Sequence, residues 1–238
     1  MTLAALKDLL RYIRLRIRTL VGTDHYSPPE IRLPKTVLGG TPPGRSGSWT
    51  VALDRLTSES TVYAVGVGTD ITFDLALIGE KAVTVHAFDP TKASIDWLRT
   101  QNPVKGFLHH AYGVAAFDGV AKFHANVNPD WVSATMLAES GSPEFEQVEV
   151  RRISTLMSML GHSKLDLLKL DIEGAEYDVI ADLVASNVDV RQLLVEFHHR
   201  LPSCSLDQTR TALRRLQEAG FRIFDVSANG EEYGLIRD

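Results

Sequence analysis

Apolar positions along this chain fall into two rhythms. Leu3, Leu6, Leu10, Ile13, Ile17 and Leu20 recur at alternating steps of three and four, the stripe of an amphipathic helix. Lys7, Arg11, Arg14 and Arg18 follow the same steps on an adjacent stripe. From residue 61 onward, short apolar β-branched runs alternate with helical stretches. The runs at 61–67, 82–88, 106–111, 165–170 and 192–197 read as strands, and 71–78, 94–100, 175–185 and 206–219 read as helices. Buried strands separated by helices imply crossover connections, hence a mostly parallel sheet with helices on both faces.

Two segments break this alternation. Asp118-Gly119, inside 115–123, signals a hairpin. Asn229-Gly230 separates two strand-like runs near the end and predicts a tight type I′ turn, so the last two strands pair antiparallel. Residues 22–48 hold Pro28, Pro29, Pro34, Pro42 and Pro43 with Gly39, Gly40, Gly44 and Gly47. They read as a linker or a lid. The expected division is therefore 1–48, helix plus linker, and 49–238, one α/β domain.

Composition refines this picture. Apolar residues make up 44% and charged residues 23% of 238, enough for a substantial core. Cys204 is the only cysteine, which excludes an intrachain disulfide and fits a reducing, cytoplasmic setting. No apolar run is long enough to span a bilayer, and Arg11, Arg14, Arg16 and Arg18 interrupt any signal-peptide core. The net charge of −5 is uneven: residues 1–21 carry five basic groups against Asp8, a sum of +4, which leaves −9 for the rest. An acidic body argues against nucleic acid as a partner. The basic amphipathic helix has two readings, a peripheral contact with an anionic membrane or packing on its own domain or a second copy.

Open parallel sheets bind ligands beyond the carboxyl ends of their strands, where strand order reverses. The first strand ends in Gly66-Val67-Gly68, where the absence of Cβ allows a sharp turn and close approach of a ligand. The helix that follows presents N–H groups suited to a carboxylate. Asp89 lies 21 residues beyond Gly68, a spacing at which an acid can accept hydrogen bonds from ribose hydroxyls. Its plain alternative is a turn or helix cap. The third glycine of a dinucleotide fingerprint is replaced by Ile71, so nothing favours a pyrophosphate.

Asp171, Glu173 and Glu176 follow the fourth strand, and Glu196, His198, His199 and Arg200 follow the fifth. On an extended strand Glu196 and His198 share a face and His199 points away. Three readings compete for this cluster. Asp171 or a histidine takes a proton from an acceptor hydroxyl; the carboxylates and histidine hold a divalent metal, a less favoured choice; or the acids merely complement a helix terminus.

Several of these segments resemble the FkbM-type methyltransferases. They are VYAVGVGTDITFDLALI, VHAFDPTKASIDWL, LLKLDIEGAEYDVI, VEFHHR and the earlier glycines with Trp49. The similarity covers roughly residues 38–237. It implies a Rossmann-like class I methyltransferase fold: α/β, with a mostly parallel seven-stranded sheet, an antiparallel C-terminal hairpin and helices on both faces. It further implies S-adenosylmethionine as donor and O-methylation of a sugar or natural-product hydroxyl. The cofactor set is then Gly66, Val67, Gly68, Asp70, Asp89 and Gly113, and the catalytic candidates are Asp171, Glu173, His198 and His199, with no metal ligand assigned. Ala64 departs from the acidic residue common two positions before the first glycine, leaving Asp70 or Asp74 to support a methionine amino group. A second class of function, a binding or membrane-associated protein on the same scaffold, stays open. Trp131, among Asn126, Asn128 and Asp130, has two readings, stacking on a sugar ring or an anchor that holds the insertion down.

Overall fold

The computed structural model describes residues 3–40, 47–102, 104–126 and 134–238. Helix α1 (Leu3–Leu20) precedes a hairpin of β1 (Thr36–Gly39) and β2 (Ser48–Val51). Then follow β3 (Thr61–Val65), α2 (Thr72–Lys81), β4 (Thr84–Phe88), α3 (Lys92–Thr100) and β5 (Phe107–His110). An inserted region holds β6 (Gly113–Val114), β7 (Gly119–Asn126), β8 (Ala134–Thr135) and β9 (Gly141–Arg151). The chain continues through α4 (Ile153–Leu160), β10 (Leu167–Leu170), α5 (Glu176–Ala185), β11 (Gln192–Glu196), α6 (Leu206–Glu218), β12 (Arg222–Val226) and β13 (Glu232–Ile236).

Seven strands form the main sheet in the order β12-β13-β11-β10-β3-β4-β5. β3, β4, β5, β10 and β11 run parallel, and β13 pairs antiparallel with both β11 and β12. This is the expected α/β architecture. The chain leaves β3 toward β4 and β5, then returns to β10 on the other side, so strand order reverses between β3 and β10. Alternation along the strands feeds two cores. Tyr63, Val65, Leu168, Leu170 and Val195 face one layer, while Val62, Ala64, Leu167 and Leu194 face the other. A fully buried valine or leucine among these contributes roughly 1.5–3 kcal/mol.

Several local expectations are corrected. Asp118-Gly119 does not close a hairpin, because β6 and β7 both pair with β9, which lies between them. That strand shows its own alternation, with Val148 and Val150 buried and Gln147 and Glu149 exposed. Asn229-Gly230 does not form the two-residue type I′ turn. Only Gly230 has positive φ (79°), and the loop spans residues 227–231, with Gly230 N–H donating to Ser227 O at 3.0 Å. The segment read as a linker contains β1, and the boundary expected after residue 48 falls inside the β1–β2 hairpin. Glu30 and Ile31 N–H groups both donate to Ile223 O (2.8 and 3.2 Å), which fastens the preceding stretch to β12.

Candidate functional site

The carboxyl ends of β3, β4, β10 and β11 converge where strand order reverses. Gly66 has φ 82°, and a Cβ there would lie 1.8 Å from Asp171 O, so the turn can pass β10 only as glycine. Gly68 has φ 54°, with open space where its Cβ would stand. Asp89, at the end of β4, is 7% exposed and ties this turn down. Its Oδ2 accepts from Val67 N–H (3.0 Å) and Gly68 N–H (2.9 Å), and its Oδ1 accepts from Thr91 N–H (3.0 Å) and Thr91 Oγ1 (2.7 Å). Thr91 in turn caps α3, accepting from Ser94 N–H.

A cavity of about 450 Å³ opens over the turn, within the range of small-ligand sites. Gly66, Val67, Gly68, Asp89, Gly113, Asp171 and Glu173 all line it, with Phe88, Val114, Phe123 and Met136 as apolar walls. Asp70 is not among its lining residues. It is exposed, and its Oδ1 accepts from Thr72 N–H (2.8 Å) at the start of α2. The helix start is therefore covered rather than open to a ligand carboxylate: Gly40 N–H also donates to Thr72 Oγ1 at 2.7 Å.

A second cavity, of about 590 Å³, adjoins the first and shares Asp171 with it. Trp49, Ser48 and Gly47 from the β1–β2 hairpin form one wall, and Glu196, Asp225 and Glu232 give the opposite side its acidic character. Arg11 of α1 also lines it.

Asp171 stands between two basic side chains. Lys169, 6% exposed, places Nζ 3.5 Å from Asp171 Oδ2, 2.9 Å from Gly66 O and 4.9 Å from the centre of the Trp49 ring. His198 Nε2 lies 3.8 Å from Asp171 Oδ1 and 3.6 Å from Glu173 Oε2. Its Nδ1 lies 3.3 Å from Glu176 Oε1. Glu176 is fully buried and accepts from His198 N–H and Gly174 N–H, both at 2.8 Å, joining the end of β11 to the turn after β10. Glu173 sits in that turn at φ 50°, a strained conformation for a residue other than glycine.

Burial opposes charge on His198, but its hydrogen bond to Glu176 and the negative charges of Glu176, Glu173 and Glu196 override it and raise its pKa to about 10. Burial, then the charge of Asp171, pushes the Glu196 carboxyl up to about 8. At neutral pH the acidic cluster thus favours an imidazolium at His198, while burial favours the neutral form of Glu196. One ligand-capable atom from each of Asp171, Glu196 and His198 lies within 4.8 Å of the others, a set able to hold a hard cation. Metal ligation by His198 would require loss of the proton that its acidic neighbours stabilise.

His199 is not brought to this site. Its Nε2 bonds Asp24 Oδ1 at 2.9 Å, and Arg200 bonds Asp24 Oδ2 at 2.9 Å, so both anchor the segment after α1. Asp74 is buried in α2 and lines neither cavity; burial pushes its carboxyl up to about 6, with Lys169 pulling it down. Ala64, buried beside Lys169 in the β3–β10 ladder, has no acidic replacement from Asp70 or Asp74 at the cavity. Trp131, Asn128 and Asp130 lie outside the described residues. Lys169 escaped the sequence reading because it stands inside an apolar run; a lone lysine within LLKL was the available signal.

Comparison with known proteins places residues 62–223 on the model of the Methyltransferase FkbM domain. The chain is similar to probable methyltransferase-like protein 24 of Rattus norvegicus, with 24% identity over 178 residues, 71% of this chain and 43% of that protein. The counterpart from Homo sapiens is 24% identical over 173 residues, 68% of this chain and 41% of that protein. The chain thus spans less than half the length of these relatives. Among solved structures, a methyltransferase FkbM from Methylobacillus flagellatus KT matches with a TM-score of 0.47 and 14% identity, over 76% of this chain and 44% of that one.

Proposed function

The chain belongs to the FkbM methyltransferase family, and on that premise we propose that it moves a methyl group from S-adenosylmethionine to a hydroxyl oxygen of a small molecule, a sugar or natural product. The observation that carries this reading is the pair of adjoining cavities that meet at Asp171.

The first cavity suits the cofactor in the chemistry it offers. Gly68 leaves open space at the backbone, Asp89 holds that turn at the cavity's edge, and apolar walls suit a purine ring. Gly66, Val67, Gly68, Asp89 and Gly113 are the residues that would hold it. When bound, S-adenosylmethionine supplies an electrophilic methyl group on a sulfonium sulfur.

The second cavity receives the acceptor, with the Trp49 wall on one side and acidic groups on the other. Direct displacement depends chiefly on alignment of the attacking oxygen with the methyl carbon. Transfer would break the methyl–sulfur bond, leaving the thioether, as the C–O bond forms, and the Asp171 carboxylate would take the hydroxyl proton. Lys169 and His198 orient that carboxylate, and Lys169 also couples it to the cofactor turn through Gly66 O. His198, already protonated, positions rather than abstracts. Glu196, as a neutral acid, is able to donate a hydrogen bond to an acceptor oxygen.

A second reading, cofactor binding without turnover, draws on Ala64 and on the absence of Asp70 and Asp74 from the cavity lining. Transfer of labelled methyl from S-adenosylmethionine to a panel of sugars and hydroxylated natural products distinguishes the two. The proposal expects label in at least one acceptor class and a kcat about 10²–10⁴ lower for Asp171→Asn, with cofactor affinity retained. Cofactor binding with no transfer to any hydroxyl would establish the second reading instead.

A further inference from the structure

Among its described side chains, those of helix α1 that meet the body lie on one face. Leu15 is 3% exposed and packs against Gly230, whose Cβ, if present, would lie 2.6 Å from Leu15 Cδ2. Arg18 pairs with the buried Asp24 at 3.3 Å. Tyr12 meets Tyr26 edge-on at 5.5 Å, and Arg16 lies over the same ring at 5.1 Å. At about 100° per residue, Leu6, Leu9, Leu10, Ile13, Ile17 and Leu20 fill an arc roughly 100° wide, centred opposite Leu15. All six are exposed, from 38% at Leu6 to 83% at Leu20. A contiguous apolar stripe turned fully outward marks a contact surface.

The charges beside the stripe select what covers it. Arg14 borders one edge and Arg16 the other, and residues 1–21 carry a net +4 on a body that otherwise sums to −9. A second copy docked through the stripe would bring two arginine-edged helices side by side. An anionic lipid surface neutralises those arginines while accepting the leucines and isoleucines below the headgroups. No described helix is long and apolar enough to cross a membrane. We propose that α1 is a membrane-docking helix, lying in the plane of a bilayer rich in anionic lipids. Arg11, on the side of the helix that faces the body, lines the second cavity, so the helix stands between that cavity and the bilayer.

Sedimentation of the full chain with vesicles tests this, with light scattering to give the mass in solution. The expected result is binding to phosphatidylcholine vesicles that contain phosphatidylserine, weak binding to phosphatidylcholine alone, and release by salt. The double substitution Ile13→Glu and Ile17→Glu should weaken binding at least about tenfold with an unchanged melting temperature, since both side chains are exposed. Arg14→Glu, which leaves the apolar stripe intact, should also weaken it about tenfold. Failure to bind either vesicle would overturn the proposal. So would a dimer that Ile13→Glu converts to a monomer, without any vesicle binding by the unsubstituted chain.

Discussion

Asp89 commits both carboxylate oxygens to its own chain, holding two N–H groups of the glycine turn and the first residues before α3. Asp89→Ala would leave Val67, Gly68 and Thr91 N–H groups without their acceptor, and each orphaned buried donor costs about 1–3 kcal/mol. We expect a loss of about 2–4 kcal/mol in urea-induced unfolding, before any ligand is added. Stability unchanged by the substitution would mean that the turn stands without Asp89. The aspartate was legible in the sequence from its spacing, and of the two readings given for it, ribose acceptor and turn-capping group, the structure displays the second, with four donors of the chain on its two carboxylate oxygens. His199 was less legible. Strand alternation correctly separated it from His198, yet its partner Asp24 is 175 positions away and no local pattern links them.

Among the elements, the strands and helices of the main sheet were the most readable, because each buried face repeats with the period of its own backbone. β1 was hidden by the prolines and glycines around it; its strand character depends on pairing with β2 and not on its own four residues. The turn after β13's partner strand was misjudged because Asn-Gly permits the tight turn without requiring it. The N-terminal segment behaves as an attached element through Asp24, which is 1% exposed and bonded to His199, Arg200 and Arg18. Removing Asp24 leaves the buried His199 ring without its partner, while Arg18 and Arg200 reach solvent and Arg200 keeps Glu231. Asp24→Ala is expected to cost about 1–3 kcal/mol and to raise protease cleavage near residues 20–30. An unaltered digestion pattern would show that α1 is held by Leu15 and Tyr26 alone.

Across the whole molecule, acidic side chains dominate the second cavity, and the consequence is a stability that depends on pH. Both His198 and Glu196 have folded pKa values raised above their ordinary ones, to about 10 and about 8. The folded state therefore holds more protons than the unfolded state between each group's ordinary value and its raised one, so stability falls as pH rises there. For Glu196 this loss begins above its ordinary value of 4.5 and is complete near 8; for His198 it begins above 6.5 and ends near 10. The melting temperature should drop between about pH 6 and about pH 9, and Glu196→Gln should flatten the lower part of that slope. An identical slope in the variant would assign the effect elsewhere.

In the proposed function, the cavity over Gly66, Gly68 and Asp89 holds S-adenosylmethionine and meets the acceptor's cavity at Asp171. Calorimetric titration of S-adenosylmethionine into the full chain tests it most directly. A saturable one-site heat in the micromolar range is the predicted result; no heat at millimolar cofactor, with the protein folded, would contradict it.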